Sequence, residues 1–148
     1  MSHDELTEKI IDQFWETIPS AWHRTRAHIR RVASAKLHLT VEQFQVLRRI
    51  RRGVASVSAI AADSSTSRSA VSKAVEVLVL RKMVARHQDA SDRRNIPLSL
   101  TPEGEDALDT VYTETKNWLA QRFARLNVGE LDSMLRSMID LEKIFSEP

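Results

Sequence analysis

Apolar residues recur at helical spacing along most of this 148-residue chain. From Leu6 to Val32 these residues fall three, four or seven positions apart, and a helical pattern returns from Leu131 to Phe145. The chain has only three Gly and four Pro, which is too few for the many turns of an all-β fold. The sequence therefore predicts a mainly α protein with a small β component.

Composition narrows the class of protein further. A hydrophobic fraction of 42% and a charged fraction of 28% are ordinary for a soluble globular domain. No apolar run reaches the ~20 residues of a membrane span, and the acidic first residues lack the pattern of a signal peptide. The absence of cysteine excludes disulfides and thiol chemistry. We therefore expect one cytoplasmic domain, residues 1–148, with no membrane partner.

Local signals in the first half of the chain predict three helices. The first covers Glu5 to about Ala33, and Pro19 is expected to kink or split it. Thr40 begins a second helix with a capping box, and Gly53 lies just past the end of that helix. Ser56 caps a short third helix.

The second half predicts a fourth helix, a hairpin and two more helices. The fourth helix runs from Arg68 to about Arg81, and the hairpin strands are Met83–His87 and Ile96–Leu100. Because Pro97 cannot donate a ladder hydrogen bond, the returning strand is expected at a sheet edge. Thr101 then caps the next helix.

This order of elements describes a winged helix-turn-helix. We expect the winged lobe at residues 37–101 and helical dimerisation regions at residues 1–36 and 102–148. A small winged lobe has no room for the aromatic residues of these terminal regions, so the chain is expected to form a homodimer with an apolar interface. The aromatic residues concerned are Phe14, Trp15, Trp22, Trp118, Phe123 and Phe145.

Charge is distributed unevenly along the chain. Residues 40–100 hold eleven Lys/Arg and five Asp/Glu, a net charge of +6, whereas residues 101–148 have a net charge of −5. A basic middle segment favours contact with a polyanion such as double-stranded DNA. On charge alone, a solvated surface of mixed charge explains the distribution equally well.

The fourth helix has the composition of a helix that enters the major groove. Its polar residues lie opposite an apolar face that contains Val71, Val75 and Leu78. The alternative is a solvated helix face without a ligand. The candidate base-contacting residues are Arg68, Ser69, Ser72 and Lys73.

Two further basic groups are candidates for contact with DNA. At the tip of the hairpin, Arg93 and Arg94 are suited to a narrow, electronegative minor groove, and Asp92 could orient one guanidinium. An unpaired, solvated loop is the alternative for this tip. A second cluster, at the end of the second helix, could contact phosphate, pair with a partner subunit or remain solvated. The cluster consists of Arg48, Arg49, Arg51 and Arg52.

Residues 37–105 resemble the MarR family of bacterial transcriptional regulators. The runs LTVEQFQVLRRI and SAIAADSSTSRSAVSKAVEVLVLRKMVARHQDASDRRNIPLSLTPEG carry the resemblance. Its most specific element is the Asp-x-Arg wing followed by Leu-Thr-x-x-Gly. The residues of that element are Asp92, Arg94, Leu100, Thr101 and Gly104.

The resemblance implies a homodimer that binds a palindromic operator, because family members interlock their terminal helices. It places Arg94 in the minor groove, oriented by Asp92, and it places Ser69, Ser72 and Lys73 in the major groove. Many members are repressors that are released by small, often anionic aromatic ligands bound between the dimer helices and the DNA-binding lobe.

The sequence departs from the family pattern at two positions. Lys82 stands where the family commonly has Gly, and a left-handed cap would cost a non-Gly residue roughly 1 kcal/mol. A local change in that turn is therefore expected. Pro97 is atypical in the wing strand, so a change in strand pairing is also expected there.

A small-molecule site and a catalytic site are less strongly indicated. Trp22, His23 and Arg26 could offer an effector a stacking surface, a titratable group and an anion partner. The favoured alternative places Trp22 in the dimer core and Arg26 at the surface. The five histidines lack metal-ligand spacing, and no catalytic constellation is present, so we expect neither metal, cofactor nor enzyme activity. A winged-helix module that binds protein rather than DNA is the alternative function.

Overall fold

The structure is a computed structural model that describes residues 1–88 and 95–146. Its chain divides into two compact units, residues 1–113 and residues 114–148. No helix of the described residues is long and apolar enough to cross a membrane. The elements, in chain order, are α1 (His3–Leu37), α2 (Val41–Arg51), α3 (Val57–Ser64), α4 (Arg68–Leu80), β1 (Val84–Arg86), β2 (Leu98–Leu100), α5 (Pro102–Phe123) and α6 (Val128–Ser146). This is the predicted order of helices and strands.

The first helix is longer than the sequence predicts. α1 begins with a capping box between Ser2 and Glu5 and continues for 35 residues to Leu37. Pro19 lies inside α1, so the prediction that this proline splits the helix is wrong. A proline removes one backbone hydrogen bond, but the long runs of helix on both sides keep theirs. α1 ends at Leu37, and its C-cap residue His38 has a left-handed φ of 51°.

The predicted caps set the starts of the three short helices. Thr40 forms the capping box with Gln43, and the hydroxyls of Ser56 and Ser67 accept hydrogen bonds from the N3 amides of α3 and α4. These helices cover a core to which the first turns of α5 also contribute. The largest fully buried side chains are Phe44, Leu47, Ile60, Val75, Leu78, Leu108 and Val111.

The hairpin strands pair in antiparallel register, with Val84 opposite Leu100 and Arg86 opposite Leu98. Pro97 precedes the strand rather than lying within it, so the predicted strand start at Ile96 is wrong. The Pro97 carbonyl accepts a hydrogen bond from the His87 amide at 2.9 Å. The missing N–H of Pro97 therefore lies outside the paired residues of the two strands.

Lys82 adopts the left-handed conformation that the family fills with Gly, with a φ of 58°. The Met83 amide donates to the Leu78 carbonyl at 2.9 Å, and the Lys82 amide donates to Val79 at 3.0 Å. These two bonds define a Schellman cap. The turn therefore does not change locally to relieve the lysine, and the expectation of such a change is wrong.

Candidate nucleic-acid interface

A three-residue turn presents α4 on the outside of the lobe. Residues 65–67 connect α3 to α4, and Ser65 has a left-handed φ of 51°. The Thr66 amide donates to the Ala61 carbonyl at 3.1 Å, while Ser67 caps α4 by accepting from the Ala70 amide at 3.1 Å. A connection of this length between two packed helices is the geometry of a helix-turn-helix.

The two faces of α4 differ in burial as the sequence predicts. Val71, Ala74, Val75 and Leu78 are buried in the core. The four predicted base-contacting residues, Arg68, Ser69, Ser72 and Lys73, are all exposed. Their side chains make no hydrogen bond or ion pair with other residues that the structure describes. The outer face of α4 therefore carries side chains that are available to donate hydrogen bonds, while its inner face is buried in the core.

The base of the hairpin is fixed to the start of α5. The Thr101 hydroxyl donates to the Lys82 carbonyl at 2.5 Å and accepts from the Gly104 amide at 3.1 Å. The Thr101 amide donates to the Met83 carbonyl at 3.1 Å. A Cβ on Gly104 would overlap that same Met83 carbonyl, so the position requires glycine. The hairpin therefore leaves the lobe from a well-anchored base.

The predicted contact residues of the wing tip are Asp92, Arg93 and Arg94, and they lie outside the described residues. The described residues that flank this tip are Gln88 and Asn95. Closer to the base of the wing, the Nε2 atom of His87 and the Oγ atom of Ser99 are 2.7 Å apart.

Two of the four clustered arginines on α2 pair within the chain. Arg49 Nε lies 2.8 Å from Asp63 Oδ2, which joins α2 to α3. Arg51 lies 3.2 Å from Glu105 and 2.6 Å from Asp109, which joins α2 to α5. The hydrogen bond that Arg51 donates to Asp109 raises the pKa of the guanidinium above its usual value. These two residues thus have intramolecular partners, a role that was not among those predicted for the cluster.

Comparison with known proteins shows what the chain is similar to. The MarR family profile matches residues 38–95, which extend from the turn before α2 into the wing. Over 145 residues the chain is 21% identical to the uncharacterized HTH-type transcriptional regulator YhbI of Bacillus subtilis, and the match covers 97% of this chain and 94% of YhbI. The fold matches that of the multiple antibiotic-resistance repressor (MarR) of Listeria monocytogenes over the whole of both chains, with a TM-score of 0.77 and 18% identity. The MarR family model therefore matches the segment that contains α2, α3, α4 and β1.

The fold also resembles that of the MarR of Staphylococcus aureus, which was solved in complex with salicylate and kanamycin. The TM-score is 0.72 at 14% identity, and the match covers 99% of this chain and all of the other. The winged helix-turn-helix fold predicted from the sequence is therefore confirmed. The match of the family model to residues 38–95 and the likeness to YhbI support the general class of DNA-binding transcriptional regulator.

A cavity of about 380 Å³ lies between α1 and the helix-turn-helix. Trp22 and Arg26 line it from α1, and the Arg26 guanidinium carbon lies 6.0 Å from the centre of the Trp22 ring. His23, the third predicted pocket residue, does not line the cavity and is exposed. The other walls are Val41, Glu42, Gln45, Val46, Arg48, Arg49, Ile60, Ser64, Thr66, Ala70, Val71 and Ala74.

Arg81 is a contact residue that the sequence analysis missed. It follows α4, and its guanidinium donates to the Leu37 carbonyl at 2.5 Å and to the His38 carbonyl at 3.1 Å. The acceptors are backbone atoms more than 40 residues earlier in the chain. No spacing rule or charge pattern in the sequence points to such a partner.

Proposed function

We propose that this protein is a homodimeric repressor of transcription that binds a palindromic operator. The observation that carries the proposal is the exposed face of α4, whose Arg68, Ser69, Ser72 and Lys73 have no partners among the described residues. A solvated helix face would explain exposed residues, but this helix is also the second helix of a helix-turn-helix in a segment of net charge +6. That combination favours DNA as the ligand.

Specificity is assigned to α4 and affinity to the wider basic surface. Arg68 and Lys73 can donate to guanine O6 and N7, and each good base contact contributes ~1–3 kcal/mol of discrimination. Ser69 and Ser72 are short, so the helix can approach the base edges closely. By the family resemblance, Arg94 enters the minor groove with Asp92 orienting it and Arg93 beside it. Phosphate contacts make the affinity fall steeply with salt.

The homodimer is supported by apolar side chains that one chain leaves in solvent. In α1, Ile10 is 64% exposed and Trp15 is 70% exposed, and in α6 Leu135 is 59% exposed and Phe145 is 70% exposed. α6 has no buried residue at all. Exposed apolar surface of this kind marks an association site, and a second copy of the chain would cover it.

The cavity is the proposed effector site. Its aromatic ring and its arginines suit an anionic aromatic molecule, the class that includes the salicylate found with the Staphylococcus aureus protein. Because Thr66, Ala70 and Ala74 also line it, a bound ligand would contact α4 and the turn that precedes it. We propose that such a ligand releases the operator by displacing α4.

Size exclusion with light scattering, together with titration of DNA from beside the protein's own gene, tests the proposal. A dimer that binds a specific duplex in a salt-dependent way is expected. Lys73→Ala should change the base preference, whereas Arg94→Ala should weaken binding to all sequences by a similar factor. Lys116→Ala, an exposed lysine in the acidic segment of the chain, is the matched control.

A monomer in solution, or a dimer whose DNA affinity shows no salt dependence, would contradict the proposal. The second result would favour the winged-helix module that binds protein.

A further inference from the structure

Arg81 and Arg52 occupy equivalent positions in the chain. Each is the cap residue of a helix, α4 for Arg81 and α2 for Arg52, and their backbone angles are nearly the same: φ −81° and ψ 3° against φ −83° and ψ 2°. Each precedes a left-handed residue, Lys82 or Gly53. Their side chains differ, because Arg81 is partly buried and bonded to α1, whereas Arg52 is exposed.

The acceptors of Arg81 are carbonyls at the end of α1. Leu37 is the last residue of α1 and His38 is its cap, and the carbonyls at a helix end lack intrahelical donors. They also lie at the negative end of the helix dipole, which favours a cation. A planar guanidinium can donate to two neighbouring acceptors at once. Arg81 therefore bonds to the end of α1 with two charge-assisted hydrogen bonds.

The backbone around Arg81 is itself held in place. On one side, the Arg81 amide donates to the Val77 carbonyl at 2.9 Å. On the other, the Schellman cap at Lys82 and Met83 fixes the turn, and the Thr101 hydroxyl donates to the Lys82 carbonyl. A side chain on a backbone that is held in this way can keep one helix at a fixed position relative to another.

We propose that Arg81 is a positioning residue that sets the placement of α4 relative to α1. The inference rests on the proposed dimer, because the apolar residues of α1 are part of the proposed association surface. If the dimer fixes α1, the Arg81 link fixes the separation of the two copies of α4. That separation must match a half-site spacing of about one helical turn, or 34 Å.

The absence of cysteine allows a direct measurement of that separation. Glu76→Cys places a single spin label on the exposed face of α4 in each protomer, and electron–electron resonance then gives the distance between the two labels. The parent protein should give one narrow distance distribution. Arg81→Ala should broaden it, whereas Arg52→Ala should leave its centre and width unchanged. Arg81→Lys keeps the charge but not the two-pronged donor, so it should give an intermediate width.

Half-site spacing provides the functional measurement. A bound duplex is compared with versions in which one base pair is inserted or deleted between the half-sites. The unsubstituted protein should lose affinity on both altered duplexes. Arg81→Ala should bind the native spacing about tenfold more weakly and discriminate less between spacings. Arg52→Ala should keep the spacing preference, whatever the change in overall affinity.

The outcomes separate this inference from the proposed function. If Arg81→Ala and Arg81→Lys give the same distance distribution and spacing preference as Arg52→Ala, the positioning role is wrong while the dimeric regulator stands. If the parent protein gives no distance between paired labels, or binds no duplex, the proposed function fails and the inference fails with it. If Arg81→Ala does not fold, Arg81→Lys carries the test with the same two readouts.

Discussion

The winged lobe buries apolar residues, whereas the last helix leaves most of its apolar residues exposed. Leu47, Leu78 and Leu108 are completely buried by residues of the same chain, whereas α6 buries none of its residues. Both regions have an apolar stripe at helical spacing, so periodicity alone does not distinguish them. The lobe is stabilised by its own core, whereas α6 has an exposed apolar surface that the proposed second copy would cover. Stability should therefore be independent of protein concentration in the lobe and dependent on it in the terminal helices.

The largest expected effect is a cavity in the core of the lobe. Leu47→Ala should lower the free energy of unfolding by about 2–5 kcal/mol, because it removes buried methyl groups and the surroundings close only partly. Chemical denaturation followed by circular dichroism measures this loss. Leu80→Ala, at a leucine that is 78% exposed, is the control and should change stability little. If the loss of unfolding free energy in Leu47→Ala disappeared at high protein concentration, that result would contradict the inference that the lobe is stabilised by its own core.

The second prediction concerns the contact between Gly104 and the Met83 carbonyl. Gly104→Ala should destabilise the lobe by about 3 kcal/mol, because the new Cβ overlaps a backbone oxygen that cannot rotate away. Gly129→Ala is the matched control, since a Cβ there has its nearest neighbour at 3.4 Å, the side-chain oxygen of Asn127. Thermal unfolding compares the two variants. Equal melting temperatures would show that α5 does not hold the wing base as described.

The third prediction addresses the exposed face of α6. Leu135→Asp should weaken dimerisation by at least ~2 kcal/mol, because it removes the burial of a leucine from the interface and adds a charge there. Analytical ultracentrifugation over a range of concentrations measures the dissociation constant. Ser137→Asp introduces the same charge on the opposite, polar side of α6 and should leave the constant nearly unchanged. Similar dissociation constants for both variants would show that α6 is not part of the dimer interface.

Sequence patterns predicted those features that depend on local physics. The capping residues Thr40, Ser56 and Thr101 act within three residues of their own position, so their roles could be inferred from spacing. The buried and exposed faces of α4 likewise follow from its 3.6-residue period. These signals were sufficient for the order of elements and for the candidate DNA-contacting face.

Interactions between distant residues were not predictable in the same way. The four arginines of α2 look alike in the sequence, yet Arg51 pairs with Asp109 across 58 positions while Arg52 remains exposed. The partners of Arg81 are backbone carbonyls, which carry no sequence signature. Pro19 shows the reverse error. A local rule predicted that this proline interrupts the helix, but it lies inside α1 with helical residues on both sides. Local rules therefore gave the elements, whereas long-range pairing required the structure.

The smallest predicted effect concerns two of the left-handed residues at helix ends, Gly53 after α2 and Lys82 after α4. Both end a helix with Schellman hydrogen bonds, but only Lys82 has a side chain that a positive φ disfavours. Lys82→Gly should therefore raise the free energy of unfolding by about 1 kcal/mol. Denaturant titration measures the gain in the free energy of unfolding. Repeating the titration at a second protein concentration shows whether the gain belongs to the lobe or to the dimer. Lys82→Ala is the control, because it removes the charge while keeping the Cβ that causes the strain. If Lys82→Ala stabilised the lobe as much as Lys82→Gly, loss of the charge rather than relief of backbone strain would be the cause. If the gain in stability grew with protein concentration, the strain would lie in the dimer rather than in the lobe.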